Sequence, residues 1–348
     1  MIMSRQNKST LKPHKAKLHK EKPHKATAYK WLTMAFCCCV FCWCVFCWFA
    51  MGVFTQSFAA EMIMDTRGRK IEVKTPFKRI ISLYGAHTEN LFYLGLENQI
   101  IGVSVNDTFP DQAQKKQKFS YHDDPEKFIA VMPDLVLIRP MIDNGYPQFV
   151  KQLEKYGITV VSLQPGTVTQ MYEYWLTLGR LTGKQDRARN MVSKFQEKVT
   201  RIQTLTQAVS PKKKVYFQAI HTRMKTFTPG SMPIFALETA GGINVAADAR
   251  ASRNTNIAVY GKEQILEKAS QIDVFLAQNG IMNPVQKEQI LNEPGFQIIK
   301  AIKDKQVFLI DENIVSRPVP RLYMGIVTIG KILYPDIFSQ IMLKKDNE

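Results

Sequence analysis

The sequence predicts an α/β protein of two lobes, each a mainly parallel sheet flanked by helices, joined by a long rigid helix. Three observations predict it. Between Val168 and Ser210 the chain carries two consecutive helix patterns, and the second, Lys184 to Ser210, has no Gly or Pro. Its apolar residues Ala188, Met191, Val192, Phe195, Val199, Ile202 and Leu205 recur at steps of three and four, on one helical face. Strand and helix patterns alternate on both sides of this stretch, as in a parallel sheet. At 1.5 Å per residue the second helix is roughly 35–40 Å long, a strut between lobes. Pro165-Gly166 precedes the pair, Gly179 and Gly183 mark its internal break, and Pro211 ends it. The expected division is an N-terminal lobe at 61–167, linking helices at 168–210 and a C-terminal lobe at 211–348.

The first 60 residues stand apart. Residues 1–30 carry nine Lys/Arg against one acid, and the remainder keeps a net +9 of the chain's +17. Residues 31–54 are uncharged and apolar. A basic segment before such a run is an export signal or a membrane anchor, which places 1–30 in the cytoplasm and 61–348 outside it. Small residues at Ser57-Phe58-Ala59 allow cleavage after Ala59 or Ala60, while an uncleaved run would hold the chain at the inner membrane. All six cysteines lie within Cys37–Cys47, inside the apolar run, so their paired spacing does not make a zinc site. The repeated Lys-Pro-His-Lys-Ala at 12–16 and 22–26 is a topology-setting tail, not a nucleic-acid contact.

In chain order, residues 62–74 suggest a hairpin around Arg67-Gly68. Arg79 to Leu83 is a buried-type strand, and Thr88-Glu89 can cap a helix that Gly95 stops. Gln99 to Val103 is a strand, followed by a polar loop to Tyr121-His122. Pro125 to Val131 is a short helix, Leu135 to Ile138 a strand, Tyr146 to Tyr156 a helix and Ile158 to Ser162 a strand. Beyond the strut, Lys214 to Gln218 is a strand and His221 to Gly230 a loop. Helices follow at Pro233 to Thr239 and Gly261 to Ala269, then strands at Ile272 to Ala277 and Val307 to Ile310. Residues 320–333 form a helix before Tyr334-Pro335. The halves share a layout: a Glu opening a short helix (Glu126, Glu263), then an Asp (Asp134, Asp273), then an apolar strand. A Glu there also simply suits a helix N-terminus.

Three segments carry a family resemblance: Arg79 to Gly95 with Ile100 to Val103, Asp124 to Val136, and Ser316 to Arg321 with Lys331 to Asp336. Together they resemble the helical-backbone substrate-binding proteins of ABC importers for vitamin B12, ferric siderophores and haem, over roughly 62–340. The resemblance implies two lobes with ligand in the cleft and limited closure about a stiff helix. It implies a permease with its ATPase as partner, with Glu126 and Glu263 meeting permease arginines, and a small-molecule metal chelate as cargo. It implies a monomer with no catalytic residues and no cofactor of its own. Tyr84-Gly-Ala-His87 departs from the family's usual Pro or small residues after the first strand.

Ligands of such sheets sit beyond the carboxyl ends of the strands. The loops there supply Tyr84, His87, Tyr121, His122, Arg139, His221, Arg223 and Arg317, with Arg250, Arg253 and Arg321 as further candidates. Tyr and His suit a ferric centre or haem iron, so His87 or His221 could reach a metal through the bound chelate. Arginines suit the carboxylate or catecholate oxygens of an anionic chelate. Each also has an ordinary reading as a surface residue or backbone anchor, and Arg317 and Arg321 could instead buttress the C-terminal helix. The expected cargo is a ferric siderophore or haem, with a corrinoid as the alternative. A two-lobed enzyme acting on a chelate is the weaker reading. Gly179 to Gln185 is too short for a phosphate loop, and no nucleophile elbow or HExxH motif occurs.

Overall fold

The computed structural model describes residues 61–251 and 255–343; the N-terminal basic and apolar segments and Arg253 lie outside the described residues. The chain opens with an antiparallel hairpin, β1 (Glu61–Met64) and β2 (Lys70–Val73). Asp65 Oδ1 closes its turn by accepting from the Arg67 and Arg69 amides, 2.9 Å each.

The N-terminal lobe follows as β3 (Ile80–Ser82), α1 (Gly85–Tyr93), β4 (Ile100–Ser104), α2 (Asp111–Gln114), β5 (Gln117–Phe119), α3 (Pro125–Ile129), β6 (Leu135–Ile138), α4 (Pro140–Gly145), α5 (Pro147–Lys155) and β7 (Thr159–Ser162). Its five strands run in the order β5-β4-β3-β6-β7, all parallel. Every residue of β3 and β6 is buried, as covering both faces of a parallel sheet requires. Two expectations change. The helix after β3 starts at Gly85, with Tyr84 in extended backbone as its N-cap, so Thr88 and Glu89 lie inside it. The Thr88 hydroxyl is committed to Ser82 Oγ at 2.7 Å and to Asp107. The polar loop before Tyr121 contains α2 and β5, and β5 carries one apolar residue, too few to show an alternation.

The connecting stretch is α6 (Val168–Thr182) and α7 (Gln185–Gln207). Thr167 opens α6 with a capping box shared with Gln170. Gly183, at φ +67°, ends it in the left-handed region that favours glycine. Gly179 is not part of the break. It sits within α6, where a Cβ would come within 2.6 Å of Ala188 Cβ, and its bareness lets α7 pack against α6. Only α7, roughly 35 Å long, is therefore the strut.

The C-terminal lobe holds β8 (Lys214–Ile220), β9 (Lys225–Phe227), α8 (Met232–Thr239), β10 (Ile243–Asn244), β11 (Ile257–Val259), α9 (Lys262–Glu267), β12 (Val274–Asn279), α10 (Lys287–Leu291), α11 (Lys300–Lys303), β13 (Val307–Asp311), α12 (Glu312–Val315), α13 (Leu322–Leu333) and α14 (Pro335–Leu343). Strand order is β11-β9-β8-β12-β13, with β10 also on β8. β8, β10, β12 and β13 are parallel, whereas β9 and β11 pair antiparallel, so this sheet is mixed. Met224, at φ +43°, turns the chain back on β8 and makes a strand of the expected loop.

Both lobes use one fastening. Asp134, before β6, donates its amide to Arg79 O and accepts the Arg79 amide on Oδ1 at 2.8 Å. Asp273, before β12, donates its amide to Lys214 O and accepts the Lys214 amide on Oδ2 at 2.9 Å. The shared Asp of the two halves thus pins the start of the neighbouring parallel strand. One continuous apolar core runs from Leu135 and Leu137 through Trp175, Phe195 and Ile202 to Phe217, Leu237 and Ile326, so the lobes share packing as well as a helix. Polar contacts reinforce the junction. Asn90 Nδ2 and Trp175 Nε1 both donate to Pro318 O at 3.0 Å. Arg321 grips the buried Glu89 carboxylate with two 2.6 Å bonds and stacks 3.6 Å above the Phe109 ring.

Candidate functional site

Tyr84, Arg139 and Arg317 meet at the carboxyl ends of β3 and β6. Tyr84 is half-buried, and the Arg139 guanidinium lies 5.0 Å over its ring. Arg317, from the segment between α12 and α13, lies against the backbone of Gly85: a Cβ there would sit 2.5 Å from Arg317 Nη1. Burial pushes the Tyr84 hydroxyl above the ordinary phenol range, opposed by Arg139 and Arg317 and abetted by Glu312 and Asp107. Both arginines are half-buried, and neither guanidinium has a hydrogen bond or ion pair among the described residues. Two half-buried cations without hydrogen-bonded acceptors among the described residues, Arg317 with the Asp107 carboxylate nearby, leave donors that anionic oxygens could take.

The histidines separate. His87 does not face the cleft. It lies within α1, fully buried, with Nε2 2.9 Å from Ile138 O and Nδ1 2.6 Å from the Tyr174 hydroxyl. A carbonyl only accepts, so Nε2 carries the proton and Tyr174 donates to Nδ1. Burial pushes His87 down to about 4, keeping it neutral with no nitrogen left for a metal. His221 is also turned inward, 5% exposed, with Nδ1 donating to Gln218 Oε1 at 2.9 Å and its amide donating to Asn283 Oδ1. Its Nε2 faces Glu293 at 3.4 Å, and burial lowers its pKa. For His87 the expectation of reaching a chelated metal is corrected, because the fold uses both of its nitrogens; His221 is buried with Nδ1 used and Nε2 toward Glu293.

His122 is exposed. Its ring centroid lies 4.3 Å from that of Tyr121 and 5.1 Å from that of Tyr146, and the two tyrosines are 4.8 Å apart. This trio crowns the loops after β5 and β6. Tyr146 carried no sequence signal for a site because it lies between two short helices, seven residues after Arg139. In the C-terminal lobe, the loop after β12 exposes Ile281 (78%) and Met282 (48%), and the Met282 amide donates to Glu312 Oε2 at 3.0 Å. An apolar pair facing solvent beyond a strand end is the other signal that loop patterning hides. Arg223 and Arg250 are exposed on the C-terminal lobe and join neither group. Arg321 is the structural partner of Glu89, as its alternative reading allowed.

Glu126 and Glu263 occupy the first turns of α3 and α9. Both are exposed, and neither carboxylate has a hydrogen bond or ion pair among the described residues. No group of three His, Cys, Asp or Glu among the described residues could hold a metal ion. Among them, too, no helix is long and apolar enough to cross a membrane.

Residues 80–314 match the family described as periplasmic binding protein. An uncharacterized ABC transporter substrate-binding lipoprotein of Bacillus subtilis is 26% identical over 80% of this chain and 87% of its own length. A vitamin B12-binding protein of Vibrio cholerae is 23% identical over 71% of this chain and 85% of its own. The crystal structure of a possible iron-binding, periplasmic solute-binding protein from Staphylococcus epidermidis superposes with a TM-score of 0.65 at 24% identity, over 75% of this chain and all of the other.

Proposed function

We infer the function from one premise: the chain belongs to the periplasmic binding protein family. It is the extracytoplasmic substrate-binding protein of an ABC importer, a binding protein and not an enzyme, and the Bacillus relative's description supports that reading. Within that role it captures an anionic metal chelate, a ferric siderophore or haem, in the interlobe cleft. The unbonded Arg139 and Arg317 beside Tyr84 carry the ligand reading. Half-buried guanidiniums without protein acceptors keep donors that an anionic ligand can take over from water. The trio of the exposed His122 and the half-buried Tyr121 and Tyr146 adds an aromatic face, and Ile281 and Met282 an apolar one.

Vitamin B12-binding proteins among the relatives favour a second reading, a corrinoid as cargo. Titration of the purified protein with ferric siderophores, haemin and cobalamin by intrinsic fluorescence separates the two. Binding that collapses in Arg139→Gln and Arg317→Gln supports the anionic chelate. Tight cobalamin binding with indifference to ferric ligands supports the corrinoid, and silence toward all three ends both. Delivery places Glu126 and Glu263 against arginines of the permease, where charge-assisted pairs at two separated points fix orientation. Glu126→Arg with Glu263→Arg is expected to abolish uptake in cells while ligand affinity stays at wild type. Undiminished uptake removes both residues from that role.

A further inference from the structure

Each proposed docking carboxylate has a lysine as its immediate neighbour in sequence: Lys127 follows Glu126, and Lys262 precedes Glu263. Lys262 opens α9, at the helix end where a cation is electrostatically disfavoured, and Lys127 lies in the last turn of the five-residue α3. Both are engaged elsewhere. Lys127 Nζ lies 2.6 Å from Asp123 Oδ2, and that oxygen also accepts the Ser120 amide at 2.9 Å. Lys262 Nζ pairs with Glu293 and donates to Pro294 O at 3.1 Å. The two neutralising acids come from unrelated places. Asp123 is four residues before its lysine, in the turn ahead of α3, whereas Glu293 is 31 residues after its own, beyond α10. Different local means thus give one result on both lobes: the lysine is paired and the adjacent glutamate is not.

We propose that Asp123 and Glu293 are positioning residues of the docking surface, neutralising the neighbouring lysines so that Glu126 and Glu263 present undivided negative charge to a guanidinium-bearing membrane partner. This rests on the docking reading above. Residues 61–348 carry a net +9, so a negative docking point has to be shielded from its own chain. An unpaired ammonium roughly 7 Å from a surface carboxylate weakens its attraction for a partner cation by about two- to threefold. Adjacent residues on a helix do not face each other, so the effect acts through the field and not by direct pairing.

The test replaces the chain in its source organism with full-length variants and measures uptake of radiolabelled haemin, ferric siderophores and cobalamin at limiting concentration. Asp123→Asn with Glu293→Gln preserves shape and removes charge. It is expected to lower the uptake that depends on this chain about four- to tenfold, with ligand affinity of the purified protein unchanged and only a small fall in Tm, since Glu293 also faces the buried His221. Adding Lys127→Gln and Lys262→Gln is expected to restore uptake, a rescue that a merely structural role for the two acids does not give. Loss of uptake without that rescue overturns the proposal. So does normal uptake in Asp123→Asn/Glu293→Gln while Glu126→Arg/Glu263→Arg abolishes it. Normal uptake in the charge-reversal variant ends the docking reading itself, and this proposal with it.

Discussion

In the N-terminal lobe the residue after β6, Arg139, stands unbonded over Tyr84; in the C-terminal lobe the residue after β8, His221, folds inward onto Gln218. Both follow a buried strand, and both are polar residues where a cleft would use them. The difference is how much of the turn each lobe needs for itself. β8 is followed at once by a reversal into β9, and His221, Gln218, Asn283 and Gln278 hold that corner together. β6 runs into α4 through a Pro at its first turn, and the helix closes on backbone bonds alone. A polar side chain is free to bind ligand where the local backbone does not call on it. On the function proposed above, recognition by charge falls to the N-terminal lobe and to Arg317, and the C-terminal lobe offers the exposed Ile281 and Met282.

The sharpest break of that comparison is to remove a group the fold does use. Glu89 is fully buried and held twice by Arg321 across the junction. Burial raises its carboxyl pKa against the pull of Arg321, so the pair depends on close geometry. Glu89→Ala leaves a partly buried guanidinium alone and is expected to cost about 3–5 kcal/mol, a fall in Tm of roughly 10 °C by calorimetry. An unchanged Tm would place Glu89 with the uncommitted groups and undo the distinction.

Arg139→Gln and Arg317→Gln should show the reverse. Each is expected to weaken an anionic chelate by about tenfold or more, the loss of a charged hydrogen bond, while stability stays within ~0.5 kcal/mol of wild type. His221→Asn is the control from the other lobe: about 1–2 kcal/mol less stable, with ligand affinity within about twofold. If His221→Asn loses affinity and Arg139→Gln loses stability, the lobes have been read the wrong way round.

Within the N-terminal lobe, two buried groups titrate against each other. His87 is lowered from 6.5 to about 4 by burial. As pH falls through that window the unfolded chain takes up the proton first, so stability drops by about 1.4 kcal/mol per unit. Burial raises Asp107 from 3.8 to about 6, opposed by Thr88, Arg317 and Lys118. There the folded chain takes up its proton first, so stability is gained as pH falls from about 6 and is lost again as pH rises. The two slopes oppose over most of pH 4–6. Asp107→Asn is expected to steepen the fall of Tm on acidification, and His87→Asn to flatten it. Parallel curves for the two variants would show that the groups are not buried as described.

Much of this was legible in the sequence, for identifiable reasons. β3, β6 and β12 are buried on both faces, and runs of apolar residues have no other home. The strut was legible because Lys184 to Ser210 lacks breakers. β5 and β9, at three residues each, are too short to carry a period, and the mixed sheet was lost with β9. Gly179 looked like a breaker because composition cannot tell a helix end from a helix contact. Site residues were the least legible. His87, His122 and His221 all sit in loop-like sequence surroundings, yet distant partners such as Tyr174, Ile138 O and Asn283 decide which of them turn inward.

The smallest expected effect concerns the aromatic trio, and it sharpens the comparison within a single loop cluster. Tyr121 and Tyr146 bracket His122, and the rings are close enough to stabilise one another without ligand. If the trio serves only itself, Tyr146→Leu costs about 0.5–1 kcal/mol of stability and leaves affinity alone. If it is a binding face, the same change weakens a flat, unsaturated ligand such as haemin about three- to fivefold and a compact hydroxamate chelate hardly at all. The ratio of the two affinity losses, not either alone, decides, because a general loosening of the loops would lower both together.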